Sequence, residues 1–167
     1  RLYGGAFPDL NNDGWIDYVA VNEVSHDLRV LMNRADGSGL VHPVLQPPSP
    51  IGAEGSPNEA ADYNNDGLLD MANSNTSSST VSVLLGNGNG TFQPQQSIPV
   101  GNSPHGLASL DVDGDADLDI VIASNGSHTL HIRPCTSEPQ QRQGEICLQH
   151  ECIGDVGEER TDDRQQQ

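Results

Sequence analysis

Asp9-Leu10-Asn11-Asn12-Asp13-Gly14-Trp15-Ile16-Asp17 is the first of three versions of one phrase in this chain. The others are Asp62-Tyr63-Asn64-Asn65-Asp66-Gly67-Leu68-Leu69-Asp70 and Asp111-Val112-Asp113-Gly114-Asp115-Ala116-Asp117-Leu118-Asp119. Each sets oxygen-bearing side chains at positions one, three, five and nine: Asp9, Asn11, Asp13, Asp17; Asp62, Asn64, Asp66, Asp70; Asp111, Asp113, Asp115, Asp119. Ca²⁺ is a hard cation that takes six to eight oxygens at roughly 2.3–2.6 Å, so a short loop holds it by curling alternate side chains around one point. The position-seven backbone carbonyls of Trp15, Leu68 and Asp117 would add one oxygen each, giving up to three Ca²⁺ sites. Gly14 and Gly67 at position six permit the sharp turn. Ala116 stands there in the third loop, and a positive φ would cost it about 1 kcal/mol or more. Asp113 in place of Asn adds a carboxylate that offsets such strain.

An EF-hand opens similarly but closes with a bidentate Glu at position twelve between two helices. Here the twelfth positions are Ala20, Asn73 and Ile122, and Tyr18–Val21, Met71-Ala72 and Ile120–Ala123 read as strands. Closure therefore falls to the ninth-position Asp. Asp, Asn and Gly also cluster in ordinary turns between strands. A single loop could be read that way, but three with one spacing favour metal.

The period runs beyond the loops. Eleven residues past each closing Asp lie Leu28, Val81 and Leu130, each opening an alternating segment that predicts a strand with one buried face. Twenty residues past Asp17 and Asp70 lie Asp36-Gly37 and Asn89-Gly90, dipeptides that favour tight hairpins. Thr91-Phe92-Gln93 would then supply a fourth strand; the third unit has Pro139 at that offset, where the repeat stops. The spacing from Asp9 to Asp62 and from Asp62 to Asp111, 53 and 49 residues, matches a four-stranded sheet repeated around an axis. The expected fold is all-β: about three four-stranded antiparallel β-propeller blades, a partial propeller, with units at about 1–53, 54–102 and 103–134 and a disordered tail at 135–167. Pro8 abutting Asp9, and Pro57 ahead of Asp62, predict short or irregular first strands.

The stretch Thr80–Phe92, followed by Gly101-Asn102-Ser103-Pro104-His105 and Asp111–Ile122, resembles the FG-GAP/VCBS repeat of integrin-α-type propellers. The resemblance covers residues 1–134. It implies Ca²⁺ loops between the first two strands of each blade, and a binding or adhesion scaffold whose protein or carbohydrate ligand sits on loops at one end. Similar repeats also occur in secreted carbohydrate-active and lipid-active enzymes, which gives the alternative function.

Three blades leave two open edges, so the expectation is a piece of a longer chain or a protomer that completes its ring by association. The sequence opens at Arg1 inside what reads as a blade, with neither Met nor signal peptide.

The formal net charge is −17, and 11 of the 24 acidic residues (three, three and five) lie in the loops. Bound Ca²⁺ would neutralise them; without it, each loop repels itself and loosens. Seven basic residues, with no Lys/Arg stripe, argue against nucleic acid binding. No apolar run approaches the ~20 residues of a membrane span. The sequons at Asn75, Asn89 and Asn125 fit an extracellular or cell-surface location. No nucleophile elbow, His-Glu-X-X-His or phosphate-cradling motif is present, and no catalytic residue is identified. His128 and His131 read as strand residues on opposite faces, unable to share a metal, and His105 as packing beside a loop. Past Pro134 the composition turns to Gln, Glu and Arg, too polar to offset the entropy of ordering. Cys135, Cys147 and Cys152 all lie there with pairing unassigned, and His150 near Cys152 is only a faint metal hint.

Overall fold

The computed structural model describes residues 2–42 and 46–133, so the tail and its three cysteines lie outside the described residues. Among the described residues, eleven strands make three antiparallel sheets. The first orders β1 (Leu2–Ala6), β2 (Tyr18–Asn22), β3 (Asp27–Leu31) and β4 (Ser49–Pro50); the second, β5 (Gly55–Ala61), β6 (Asp70–Asn75), β7 (Thr80–Leu84) and β8 (Gln96–Pro99); the third, β9 (Pro104–Leu110), β10 (Asp119–Ser124) and β11 (Thr129–Arg133). Within each sheet, sequence neighbours pair, as in a propeller blade. No described helix is long and apolar enough to cross a membrane.

The apolar alternation explains the stacking. Val19 pairs with Val30 and Val21 with Leu28, so all four point to one face of blade one. That face, with Leu10, Met32 and Ile51, packs on Met71 and Leu84 of blade two. Blade two's opposite face, with Ala72, Val81, Val83, Leu85 and Ile98, packs on Leu107, Ile120 and Ile122 of blade three. Burying each Val, Leu or Ile contributes about 1.5–3 kcal/mol, so the two inter-blade seams are the core. β6 is buried along its whole length, sandwiched between blades. Its polar residues are partly paired: Asn73 Nδ2 donates to Asn75 Oδ1 at 2.9 Å, and Asn75 Nδ2 to Ser82 Oγ at 2.8 Å.

Several expectations are corrected. The fourth strand of unit two is Gln96–Pro99; Phe92 makes only an isolated bridge to Gly86. The Gly-rich segments are wider than two-residue hairpins, closing at Asn33↔Val41 and Gly86↔Phe92. The first strands of units one and two are both irregular: β1, five residues long, shifts register between Tyr3 and Gly5, and β5, seven residues long, bulges between Ser56 and Asn58, around Pro57, which cannot donate to the ladder. His128 lies before β11, at φ 53°, equivalent to His26 and Ser79 in the turns of the other blades. His105 is exposed on β9, with Nδ1 3.5 Å from Ser56 Oγ on the neighbouring blade. Asn75 is fully buried with its amide engaged, so the folded chain offers no glycan acceptor there, while Asn89 and Asn125 are exposed.

Candidate functional site

The three acidic phrases form the β1–β2, β5–β6 and β9–β10 connections. In each, the first Asp curls the loop by accepting backbone N–H groups ahead of it. Asp9 takes Asp13 N at 3.1 Å and Gly14 N at 2.8 Å. Asp62 takes Asp66 N and Gly67 N at the same distances. Asp111 takes Gly114 N at 2.7 Å and Ala116 N at 3.1 Å. The third position repeats this one step on: Asn11, Asn64 and Asp113 accept from Asp13 N, Asp66 N and Asp115 N. The fifth-position carboxylates of Asp13, Asp66 and Asp115 accept from Trp15 N, Leu68 N and Asp117 N at 2.8–2.9 Å. Alternate side chains therefore turn inward, which is how a short loop gathers oxygens around one point.

Position six needs a left-handed backbone: φ is 85° at Gly14, 84° at Gly67 and 75° at Ala116. The strain anticipated for Ala116 is therefore present. Its loop is also the most acidic: carboxylate oxygens of Asp111, Asp113 and Asp115 all lie within 4.8 Å of one another and are exposed. Asp115 has a raised pKa. The N–H of Asp117 pulls it down, but lost hydration and the carboxylates of Asp113, Asp117 and Asp119 outweigh that donor. Such a cluster of hard oxygens, open to solvent, could hold a divalent cation. In loops one and two, Asn11 and Asn64 take the middle place, with Nδ2 bonded to Asp13 Oδ2 at 2.9 Å and Asp66 Oδ2 at 3.0 Å.

The ninth-position residues do something the sequence did not disclose. Asp17, Asp70 and Asp119 are buried, and each Oδ2 accepts the N–H of position two: Leu10, Tyr63 and Val112 at 2.8–3.0 Å. Asp17 Oδ1 also accepts Asn33 N at 2.8 Å, and Asp70 Oδ1 accepts Gly86 N at 2.7 Å, both just past the third strand. Gly86 fits because a Cβ there would meet Leu69 O at 2.2 Å. The Asp17 and Asp70 carboxylates thereby clasp the loop base to the sheet, and a carboxylate oxygen that accepts one N–H has a second lone pair. Burial pushes the Asp70 pKa up to about 6, with Asp66 and Asp62 adding to it against the donors Gly86 N and Tyr63 N.

The seventh-position side chains diverge. Gly37 lies beneath Trp15 and Gly88 beneath Leu68, so those two pack on the Gly-rich segments, whereas Asp117 is buried. The sequence reading also missed position four. Asn12 and Asn65 adopt φ 55° and 56° and reach the next loop: Asn12 Nδ2 donates to Gly67 O at 3.3 Å and Asn65 Nδ2 to Asp117 Oδ1 at 2.6 Å. The signal available was the repetition of Asn at that position in two loops of three.

No curated protein sequence matches the chain at a significant level. Residues 9–73 and 62–122 each match the FG-GAP-like repeat, one match opening on the first acidic loop and the other on the second. With 9–122 of the 167 residues so matched, the chain belongs to the FG-GAP-like repeat family.

Proposed function

We propose that the chain is a calcium-stabilised, non-enzymatic binding scaffold that works outside the cell or at its surface, holding up to three Ca²⁺ and presenting loops at one end of its blades to a protein or carbohydrate ligand. The observation that carries this reading is the convergence of Asp111, Asp113 and Asp115 oxygens within 4.8 Å, in a loop whose hydrogen-bonded curl recurs in the other two. All donors are hard oxygens, which suits Ca²⁺ better than zinc or copper. When bound, the ion would cancel the repulsion among loop carboxylates; Asp9, Asn11, Asp13, Asp62, Asn64, Asp66, Asp111, Asp113 and Asp115 would face it, with Trp15, Leu68 and Asp117 lending carbonyls and Asp17, Asp70 and Asp119 closing the set. An oxygen set tuned to millimolar calcium belongs outside the cell, where that concentration is available.

Calorimetric titration tests it. Three equivalents of Ca²⁺ are expected, and Asp13→Ala, Asp66→Ala and Asp115→Ala should each remove about one. These fifth positions are exposed, so the loss reads ligation rather than collapse of the buried base. Unchanged stoichiometry would reject the ligand assignment. A glycan array then tests the ligand class, and turnover in a polysaccharide lyase assay would overturn the non-enzymatic reading.

A further inference from the structure

We infer that Asn12 and Asn65 are positioning residues that couple neighbouring metal loops, so that filling one favours filling the next; this rests on the calcium reading above. Both bridges leave position four of one loop and land on the same part of the following loop. Asn12 Nδ2 reaches Gly67 O, the carbonyl of the peptide whose N–H, on Leu68, donates to Asp66 Oδ1 at 2.8 Å. Asn65 Nδ2 reaches the side chain of Asp117, whose own N–H donates to Asp115 Oδ1 at 2.9 Å. The first bridge thus holds the peptide that donates to the fifth-position carboxylate, and the second holds the side chain of the position-seven residue whose N–H makes that donation.

The source end is equally placed. Asn12 lies between Asn11 and Asp13, and Asn65 between Asn64 and Asp66, so an ion that draws those flanking side chains inward also fixes the left-handed backbone from which the bridging amide springs. A loop already held by its neighbour has less conformational freedom to lose on binding, which is positive coupling without a change of fold. The relay runs from loop one to loop two to loop three. Gly114 occupies position four in loop three and has no side chain to extend it.

Trp15, the single tryptophan, sits at position seven of loop one and gives that loop its own fluorescence signal. With the full chain, Asp66→Ala disables loop two, and the calcium midpoint at Trp15 is expected to rise about fivefold, the low end of typical site-to-site coupling. In an Asn12→Gly background, which keeps the left-handed backbone accessible and removes only the amide, the same Asp66→Ala change should leave the Trp15 midpoint where it was. A midpoint indifferent to Asp66→Ala, or a fivefold shift that survives Asn12→Gly, would overturn the coupling while calcium binding stands. Absence of any calcium response at Trp15 together with no heat of binding would overturn both. A second comparison leaves every proposed ligand in place, should Asp66→Ala fail to fold. The isotherm of Asn12→Gly/Asn65→Gly should keep its stoichiometry and lose its cooperative steepness; an isotherm identical to that of the native chain would reject the relay.

Discussion

Ala116 is the residue at which local backbone preference and the loop's demand conflict most directly. At φ 75° it holds a conformation that costs an L-residue with a Cβ about 1 kcal/mol relative to glycine. Ala116→Gly should therefore stabilise the chain by up to about 1 kcal/mol in chelator and in calcium alike, less the extra entropy glycine brings to the unfolded state. Urea melts would show it, and a destabilised variant would contradict the strain. Asp70 supplies a pH signature. Burial holds its pKa at about 6, above the unfolded value near 3.9, so the folded state keeps a proton that the unfolded chain releases. Its contribution is fully present below about pH 4 and is lost as pH rises through 6. In chelator, melting temperature should fall across that window, and Asp70→Asn should flatten the fall; an equal slope in the variant would contradict the assignment.

At the scale of the element, each loop is two devices joined. Its exposed tip is held by side chains accepting its own N–H groups, and its base is clasped to the sheet by the ninth-position Asp. The two should separate in mutants. Asp70→Ala strands the donors of Tyr63 and Gly86 in the interior and should cost about 2–4 kcal/mol even in chelator. Asp66→Ala, exposed, should cost little in chelator and remove stability only when calcium is present. Equal costs for the two in chelator would dissolve the distinction. The sequence disclosed the strands after each loop because Val19, Val21, Leu28 and Val30 alternate with a period of two, and it disclosed the loops because their oxygens recur at fixed spacing. It did not disclose the clasp, since an Asp that closes a metal loop and one that caps buried amides look alike until Asn33 N and Gly86 N arrive from a distant strand end. The fourth strand was misplaced for a related reason. Thr91-Phe92 has strand character, but it is spent closing the Gly86↔Phe92 bridge before the chain returns at Gln96. Asn12 and Asn65 were hidden because their partners belong to other repeats.

For the whole molecule, the repeat sets what each face is for. Val19, Val21, Leu28 and Val30 are buried because blade two covers them, and Ala72, Val81 and Val83 because blade three does. Val121, Ala123, Leu130 and Ile132 occupy the same positions in blade three, and among the described residues no further blade covers them; Ala123 is exposed and the other three are half-buried. An uncovered apolar sheet face beside the β11 edge favours association. The chain should elute larger as its concentration rises, and Val121→Lys should return it to a monomer on size exclusion; a wild-type chain monomeric at every concentration would contradict this. The central claim is that these blades are held in shape by cations in the acidic loops. At an assumed Kd of about 10⁻⁴ M and about 1 mM calcium, each filled loop adds about 1.4 kcal/mol, so three add about 4 kcal/mol. Thermal unfolding of the full chain in chelator and in millimolar calcium is the direct measurement: the melting temperature should be roughly 10 °C or more higher with calcium, and identical melting in the two buffers would contradict the account.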